Sequence, residues 1–334
     1  MFKIVCYGVR SNEVDTFKKY NKYNYDLTLL EELLTHDNIN TVENQDAVLL
    51  RSNCVADRQN LEIMKNNGIK YVFTRTVGFN HIDLNAAKEL GIKVARVPAY
   101  SPNSVAELSV GLAMMLVRNL AYTVARTSEK NFIVTPQMYS KEIRNCTVGI
   151  IGMGKIGITE AKLFKGLGAN VLAYDPYINE EAKAFATYVE HDQLLKQSDI
   201  VSIHMPYFPG KNDGYINEEF INKMKDNAIL VNTARGELQS NIDILNALKS
   251  NKLSGFGTDV MPNETTLFFK KFDKENPIKD AVVNELVELY PRVLITPHIG
   301  SNTDEALKNM VEVSYDNFNE ILTTGKLTNE VTAK

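Results

Sequence analysis

Short apolar runs rich in Val, Ile and Tyr alternate with amphipathic stretches from the first residues on. Phe2–Tyr7, Ala47–Leu50, Tyr71–Thr74 and Lys93–Val97 predict strands, and Ala56–Asn66 and Leu84–Leu90 between them carry helical spacing. Gly68 and Gly91 stand where C-terminal caps belong. Strand and helix in alternation predict a parallel sheet covered on both faces. Asn103–Leu120 then predicts one long helix, with Pro102 ahead of a capping-type Asn103. Its apolar residues run nearly all round, which predicts burial on most sides, either in a core or against a second copy.

From Cys146 onward the alternation becomes regular. Strands are predicted over Thr147–Ile151, Asn170–Tyr174, Ile200–His204, Ala228–Asn232, Gly255–Val260 and Arg292–Thr296. Helices are predicted over Lys155–Leu167, Asp192–Gln197, Glu218–Lys225 and Ile242–Leu248, with a terminal amphipathic helix over Asp304–Leu322. This is the pattern of a doubly wound α/β domain. Pro262–Pro277 is the one long irregular stretch, and so a candidate functional loop. A length of 334 residues suggests two domains.

Charge and composition narrow the class. Lys plus Arg number 37 against 41 Asp plus Glu, a net charge of -4, so no face is forced to be basic and nucleic acid or an anionic membrane is disfavoured as partner. No apolar run reaches the ~18 residues of a membrane span, and the opening Met1–Tyr7 reads as strand rather than signal peptide. Cys6, Cys54 and Cys146 are odd in number and widely spaced, which predicts a reducing, cytoplasmic setting without a disulfide framework. The five histidines show no metal-ligand spacing, so no metal is expected.

Gly152-Met153-Gly154-Lys155-Ile156-Gly157 is a GxGxxG string set between an apolar strand and a helix, the context that a dinucleotide needs. Gly152 permits the tight turn, Gly154 lets a pyrophosphate approach the helix N-terminus, and Gly157 lets helix and strand pack closely. Asp175, at the end of the next strand, suits the two ribose hydroxyls of adenosine and would repel a 2′-phosphate, which favours NAD over NADP. Three later strand ends offer Arg235, Glu264 and His298 to a common crevice. A planar fork for a carboxylate, a carboxylate to keep a proton donor charged, and the imidazole donor itself suit reduction of a 2-keto acid.

At these residues the chain resembles the D-2-hydroxyacid dehydrogenase family over essentially its whole length. The resemblance is carried by Thr74-Arg75-Thr76-Val77-Gly78, Val97-Pro98-Ala99-Tyr100-Ser101-Pro102-Asn103, the glycine string, Asn232-Thr233-Ala234-Arg235-Gly236 and Thr296-Pro297-His298, in that order. It implies an α/β fold of two doubly wound parallel-sheet (Rossmann-type) domains, with a discontinuous substrate domain (1–100 and 299–334) and an NAD domain (101–298). It also implies a homodimer built through the helix near residues 103–118, and a D, or (R), product. The family's catalytic Arg, Glu and His fall on Arg235, Glu264 and His298. Its substrate-carboxylate amides fall on Val77 and Gly78, and its substrate-positioning tyrosine on Tyr100. Contacts to NAD fall on Lys155, Ile156, Asp175, Met205, Pro206, Asn212, Thr233, Ala234 and Asp259, with Arg235 beside them.

The substrate is read from departures within that resemblance. D-lactate enzymes usually carry an aromatic residue shortly after the catalytic His. Here Ile299-Gly300-Ser301-Asn302 is small and polar, which makes Ser301 a candidate substrate contact. Leu50-Arg51-Ser52-Asn53-Cys54 sets an arginine where lactate enzymes tend to have Tyr or Gln, and a cation there would pair with the far carboxylate of a dicarboxylic substrate. The strings Arg51–Cys54, Arg144–Gly149, Tyr290–His298 and Asn309–Tyr315 are similar to those of bacterial (R)-2-hydroxyglutarate dehydrogenases. The expected reaction is therefore the reversible reduction of 2-oxoglutarate by NADH, as in anaerobic glutamate fermentation. D-lactate or D-2-hydroxyisocaproate dehydrogenase is the enzymatic alternative. An NAD-sensing corepressor-like binding protein is the remote one, and the disordered flanks such proteins commonly add are not expected here.

Overall fold

The computed structural model describes residues 1–333, and the chain divides into two units, Met1–Ser101 with the stretch from Ser301 on, and Pro102–Gly300. In the first unit β1 (Lys3–Cys6), β2 (Asp26–Leu29), β3 (Ala47–Leu50), β4 (Tyr71–Thr74) and β5 (Lys93–Ala95) form a parallel sheet in the order β2-β1-β3-β4-β5. Alternation along each strand splits the apolar side chains between two faces. Val5, Val48, Leu50 and Val72 share one core with Leu61 and Met64 of the helix Arg58–Asn66. Ile4, Cys6, Leu49 and Phe73 share the other with Tyr315 and Phe318 of the helix Asp304–Thr324. The Phe73 and Phe318 rings stack with centroids 4.3 Å apart, a pairing worth ~0.5–1.5 kcal/mol beyond its buried area. Burial of that aromatic face explains why the last helix belongs to the same unit as the first strand.

In the second unit β6 (Thr147–Ile151), β7 (Asn170–Tyr174), β8 (Thr187–Tyr188), β9 (Ile200–Ile203), β10 (Ala228–Asn232), β11 (Leu253–Thr258) and β12 (Val293–Ile295) run in the order β12-β11-β10-β9-β6-β7-β8, with every pairing parallel. The order reverses between β6 and β9, the switch point at which doubly wound sheets bind ligands. Val148, Ile150, Val171 and Val231 pack on one face against Leu112 and Leu116 of the helix Pro102–Val117 and Phe164 of the helix Lys155–Gly166. Ile151, Leu172, Val201 and Leu230 pack on the other against Leu195, Phe220 and Leu248. Both sheets are of the doubly wound type read from the chain.

One expected helix is corrected at its two ends. The helix expected over Asn103–Leu120 is present as Pro102–Val117 but stops three residues early, where Asn119 takes left-handed backbone at φ 48 and a second helix, Leu120–Ser128, leaves at a 70° bend. Pro102 is the first helical residue, where its missing N–H costs nothing, so Asn103 lies inside the helix rather than capping it. Among the described residues no single helix is long and apolar enough to cross a membrane.

Candidate active site

Strand register sets the site. Ile151 is level with Tyr174 and Ile203, Asn232 with Ile203 and Thr258, and Thr258 with Ile295. One step beyond that line, Asp175, Gly152, His204, Thr233, Asp259 and Thr296 stand in a row along the carboxyl edge of the seven-stranded sheet. This is the edge at which parallel α/β sheets hold ligands.

The glycine string sits in the middle of the row. Gly152 has φ 99, and a Cβ there would come within 2.6 Å of the His204 carbonyl carbon and the Met205 nitrogen. A Cβ on Gly157 would fall 2.0 Å from the Gly152 oxygen, so helix and turn touch only because Gly157 lacks a side chain. Over Gly154 there is open space: a Cβ would meet nothing within 4 Å. Lys155 and Ile156 then open a twelve-residue helix whose first amides have no partner within the helix. Asp175 accepts from the Met153 amide at 2.7 Å and from the Tyr177 amide at 2.9 Å, which fixes its carboxylate beside the turn. The Thr233 hydroxyl is buried with no hydrogen-bond partner, an atom that awaits one. An open glycine before a helix N-terminus, a fixed acid at the next strand end and an orphaned buried hydroxyl fit a dinucleotide.

Past the row, loops are pinned by side chains. Asn232, at the end of an otherwise apolar strand, accepts from the Ala234 amide and donates to the Arg235 carbonyl and to Gln239. It thereby fixes Thr233–Arg235, and the Arg235 guanidinium donates to the Ala234 carbonyl at 2.6 Å. Met205 packs against the core below β9. Asn212 spends its amide group on the turn before it, accepting from the Phe208 amide and donating to the Pro206 carbonyl.

His298 and Glu264 are brought together. The imidazole Nδ1 lies 3.0 and 2.9 Å from the two Glu264 carboxylate oxygens, and among the described residues Nε2 takes no hydrogen bond. A carboxylate on Nδ1 fixes the ring orientation and leaves Nε2 as the working nitrogen. The His298 backbone is left-handed (φ 52), a conformation uncommon outside glycine and held here from outside. Asp259 does the holding: it is 2% exposed, its carboxylate accepts from the Thr296 hydroxyl (2.6 Å) and the Ile299 and Gly300 amides (2.8 Å each), and its carbonyl accepts from the His298 amide. Burial pushes the Asp259 carboxyl up from the usual range, against these bonds. The sequence placed Asp259 only among cofactor contacts; its grip on the His298 loop depends on register between β11 and β12, which the chain does not print.

In the first unit the edge carries cations. Arg75, 2% exposed, donates to the Gly8 carbonyl at 2.7 Å and to Glu13 at 2.8 Å. Arg51, partly buried after β3, lies with its stem across Gly8, where a Cβ would come within 3.0 Å of its Cδ. Burial, with Arg75 and Arg10 nearby, pushes the Arg51 guanidinium down to about 10. At Val77 and Gly78 the carbonyls are taken, by Arg96 and Thr76 respectively, while neither amide donates a hydrogen bond among the described residues. The Tyr100 carbonyl is held by Asn309, and Ser301 stands partly exposed before the helix Asp304–Thr324.

Comparison with known proteins agrees with this geometry. The family described as "D-isomer specific 2-hydroxyacid dehydrogenase, NAD binding domain" matches residues 110–300. An aromatic 2-oxoacid reductase of Clostridium sporogenes is 38% identical over 99% of this chain and 100% of its own length. A D-2-hydroxyacid dehydrogenase (NAD(+)) of Clostridioides difficile is 34% identical over 98% and 99%. The NAD-complexed D-isomer specific 2-hydroxyacid dehydrogenase of Lactobacillus delbrueckii ssp. bulgaricus superposes with a TM-score of 0.85 at 32% identity, over 99% of this chain and 100% of that one. With the dinucleotide edge, the His–Glu pair and these full-length likenesses in hand, the chain belongs to the D-2-hydroxyacid dehydrogenase family and is an NAD-dependent enzyme of it.

Proposed function

We propose that the enzyme reduces 2-oxoglutarate reversibly to (R)-2-hydroxyglutarate. The observation that carries this reading is Arg51, a partly buried guanidinium at the carboxyl end of β3, held at about 10 and so charged at neutral pH. A cation in that place suits an acid group that pyruvate does not have, and charge-assisted contacts of this kind are worth roughly 1.5–3 kcal/mol.

NADH, when bound, would supply the hydride that the keto carbon takes up. His298 donates its Nε2 proton to the keto oxygen, while Glu264 holds Nδ1 and balances the charge of the imidazolium. Arg235 binds the substrate's 2-carboxylate and polarises the carbonyl, and the open amides of Val77 and Gly78 take the same carboxylate. Tyr100 and Ser301 position the substrate. Lys155, Ile156, Met205, Pro206, Asn212, Thr233, Ala234, Arg235 and Asp175 hold the cofactor around the open turn at Gly154, and Asp259 keeps the His298 loop in register.

The names of relatives favour a second reading, in which the substrate is an aromatic 2-oxoacid or the D-lactate or D-2-hydroxyisocaproate partner acid. Parallel assays of 2-oxoglutarate, pyruvate, 2-oxoisocaproate and phenylpyruvate with NADH separate the two. The proposal expects the highest kcat/KM for 2-oxoglutarate, and a higher value for any monocarboxylate overturns it.

The enzyme is further proposed to work as a cytoplasmic homodimer. Met115, Leu120, Val124, Phe132, Ile133, Val134 and Tyr139 are exposed on and after the bent helix pair, apolar positions suited to burial against a second copy. Cys6, Cys54 and Cys146 are free and buried, in keeping with a reducing compartment.

A further inference from the structure

Below the glycine turn lies a buried polar cluster outside the catalytic set. The Glu160 and His204 side chains are 0% and 1% exposed. The Ser109 and Ser202 hydroxyls donate to one Glu160 oxygen at 2.6 and 3.0 Å, and His204 Nε2 meets the other at 2.7 Å. A carboxylate this deep persists only with such partners. The cluster joins the helix Pro102–Val117, the helix that the glycine string opens, and the end of β9.

With Nε2 tied to Glu160, Nδ1 is the ring's remaining polar atom, and it is buried without a partner. In this unit the described buried side-chain atoms without partners belong to Arg126, His204 and Thr233. Two of these are neighbours: Ile203 and Asn232 are register partners, so His204 and Thr233 leave adjacent strands side by side. Buried polar atoms are nearly always satisfied, so two adjacent orphans on a ligand-binding edge mark where a ligand's polar groups belong. We propose that His204 is a cofactor-binding residue, its Nδ1 and the Thr233 hydroxyl each serving the pyrophosphate and nicotinamide half of NAD, and that Glu160 is the positioning residue acting through it. The half follows from the strand order. Asp175 marks the adenosine side beyond β7, whereas β9 and β10 lie on the other side of β6.

The test is binding without any oxoacid present. NADH affinity is read by fluorescence titration and AMP affinity by calorimetry, for the dimension-preserving Glu160→Gln and for the paired apolar replacement His204→Leu with Glu160→Met. Each should weaken NADH about fivefold to tenfold, the span of a lost hydrogen bond, while AMP stays within twofold. A merely structural cluster would leave NADH within twofold, or weaken AMP in the same proportion. Either result in both variants overturns the assignment.

Discussion

The two sheets end in different chemistry. At the carboxyl edge of the five-stranded sheet the charged groups are mainly arginines, with Arg75 bound to Glu13 and the Gly8 carbonyl and Arg51 and Arg10 near it. At the carboxyl edge of the seven-stranded sheet Arg235 stands among acids, Asp175, Asp259 and Glu264, each accepting from a backbone amide or from His298. Clustered arginines repel one another and gain from an added anion, so the first edge is suited to recognition. Acids saturated by local donors gain nothing from an anion, and they fix loops in place. The second edge is suited to holding a reacting geometry.

That contrast can be broken most sharply at His298. Replacement by Asn keeps a residue that tolerates left-handed backbone but removes the proton donor. We expect His298→Asn to lower kcat by ~10²–10⁴-fold with every oxoacid, without changing NADH affinity. Stopped-flow and equilibrium titration check the two halves, and a loss confined to one substrate would move His298 from chemistry to recognition.

Asp259→Asn comes next. The amide keeps the volume but takes away an acceptor that the Ile299 and Gly300 amides share with Thr296, so the His298 loop loses its register. A fall in kcat of about 10²-fold at near-constant NADH affinity is expected, since a small misplacement of a catalytic group is costly. A fall in NADH affinity at constant kcat would instead make Asp259 a cofactor contact.

The smallest effect concerns stability of the first unit. Burial pushes the His81 imidazole down to about 4 from 6.5. The unfolded chain takes up that proton below 6.5 and the folded one does not, so stability falls as pH drops from 6.5 towards 4. Urea titrations should show His81→Leu losing roughly 2 kcal/mol less than the parent between pH 7 and pH 5. Equal losses would assign the acid sensitivity elsewhere.

What the sequence carried depended on burial. Ala47–Leu50, Tyr71–Thr74 and Ala228–Asn232 are buried on both faces or nearly so, and their predicted and observed bounds coincide. Strand β2 is half-exposed or exposed throughout and β8 is two residues long, so neither leaves a hydrophobic signature. The helix Ala281–Glu288 is likewise not among the predicted elements, although Asp280 caps it through the Val282 and Val283 amides. In the site, the glycine string and the His–Glu pair were legible because each residue type declares its chemistry. Glu160 was not: an acid in an amphipathic helix reads as solvated, and Ser109 and Ser202, which bury it, arrive from distant elements.

The central claim is that the far carboxylate of the substrate is read by Arg51, and Arg51→Gln tests it most directly. The measured quantity is the ratio of kcat/KM for 2-oxoglutarate to that for pyruvate, in parent and variant. The account predicts that the ratio falls by about 10- to 100-fold through loss of 2-oxoglutarate alone. An unchanged ratio would contradict it.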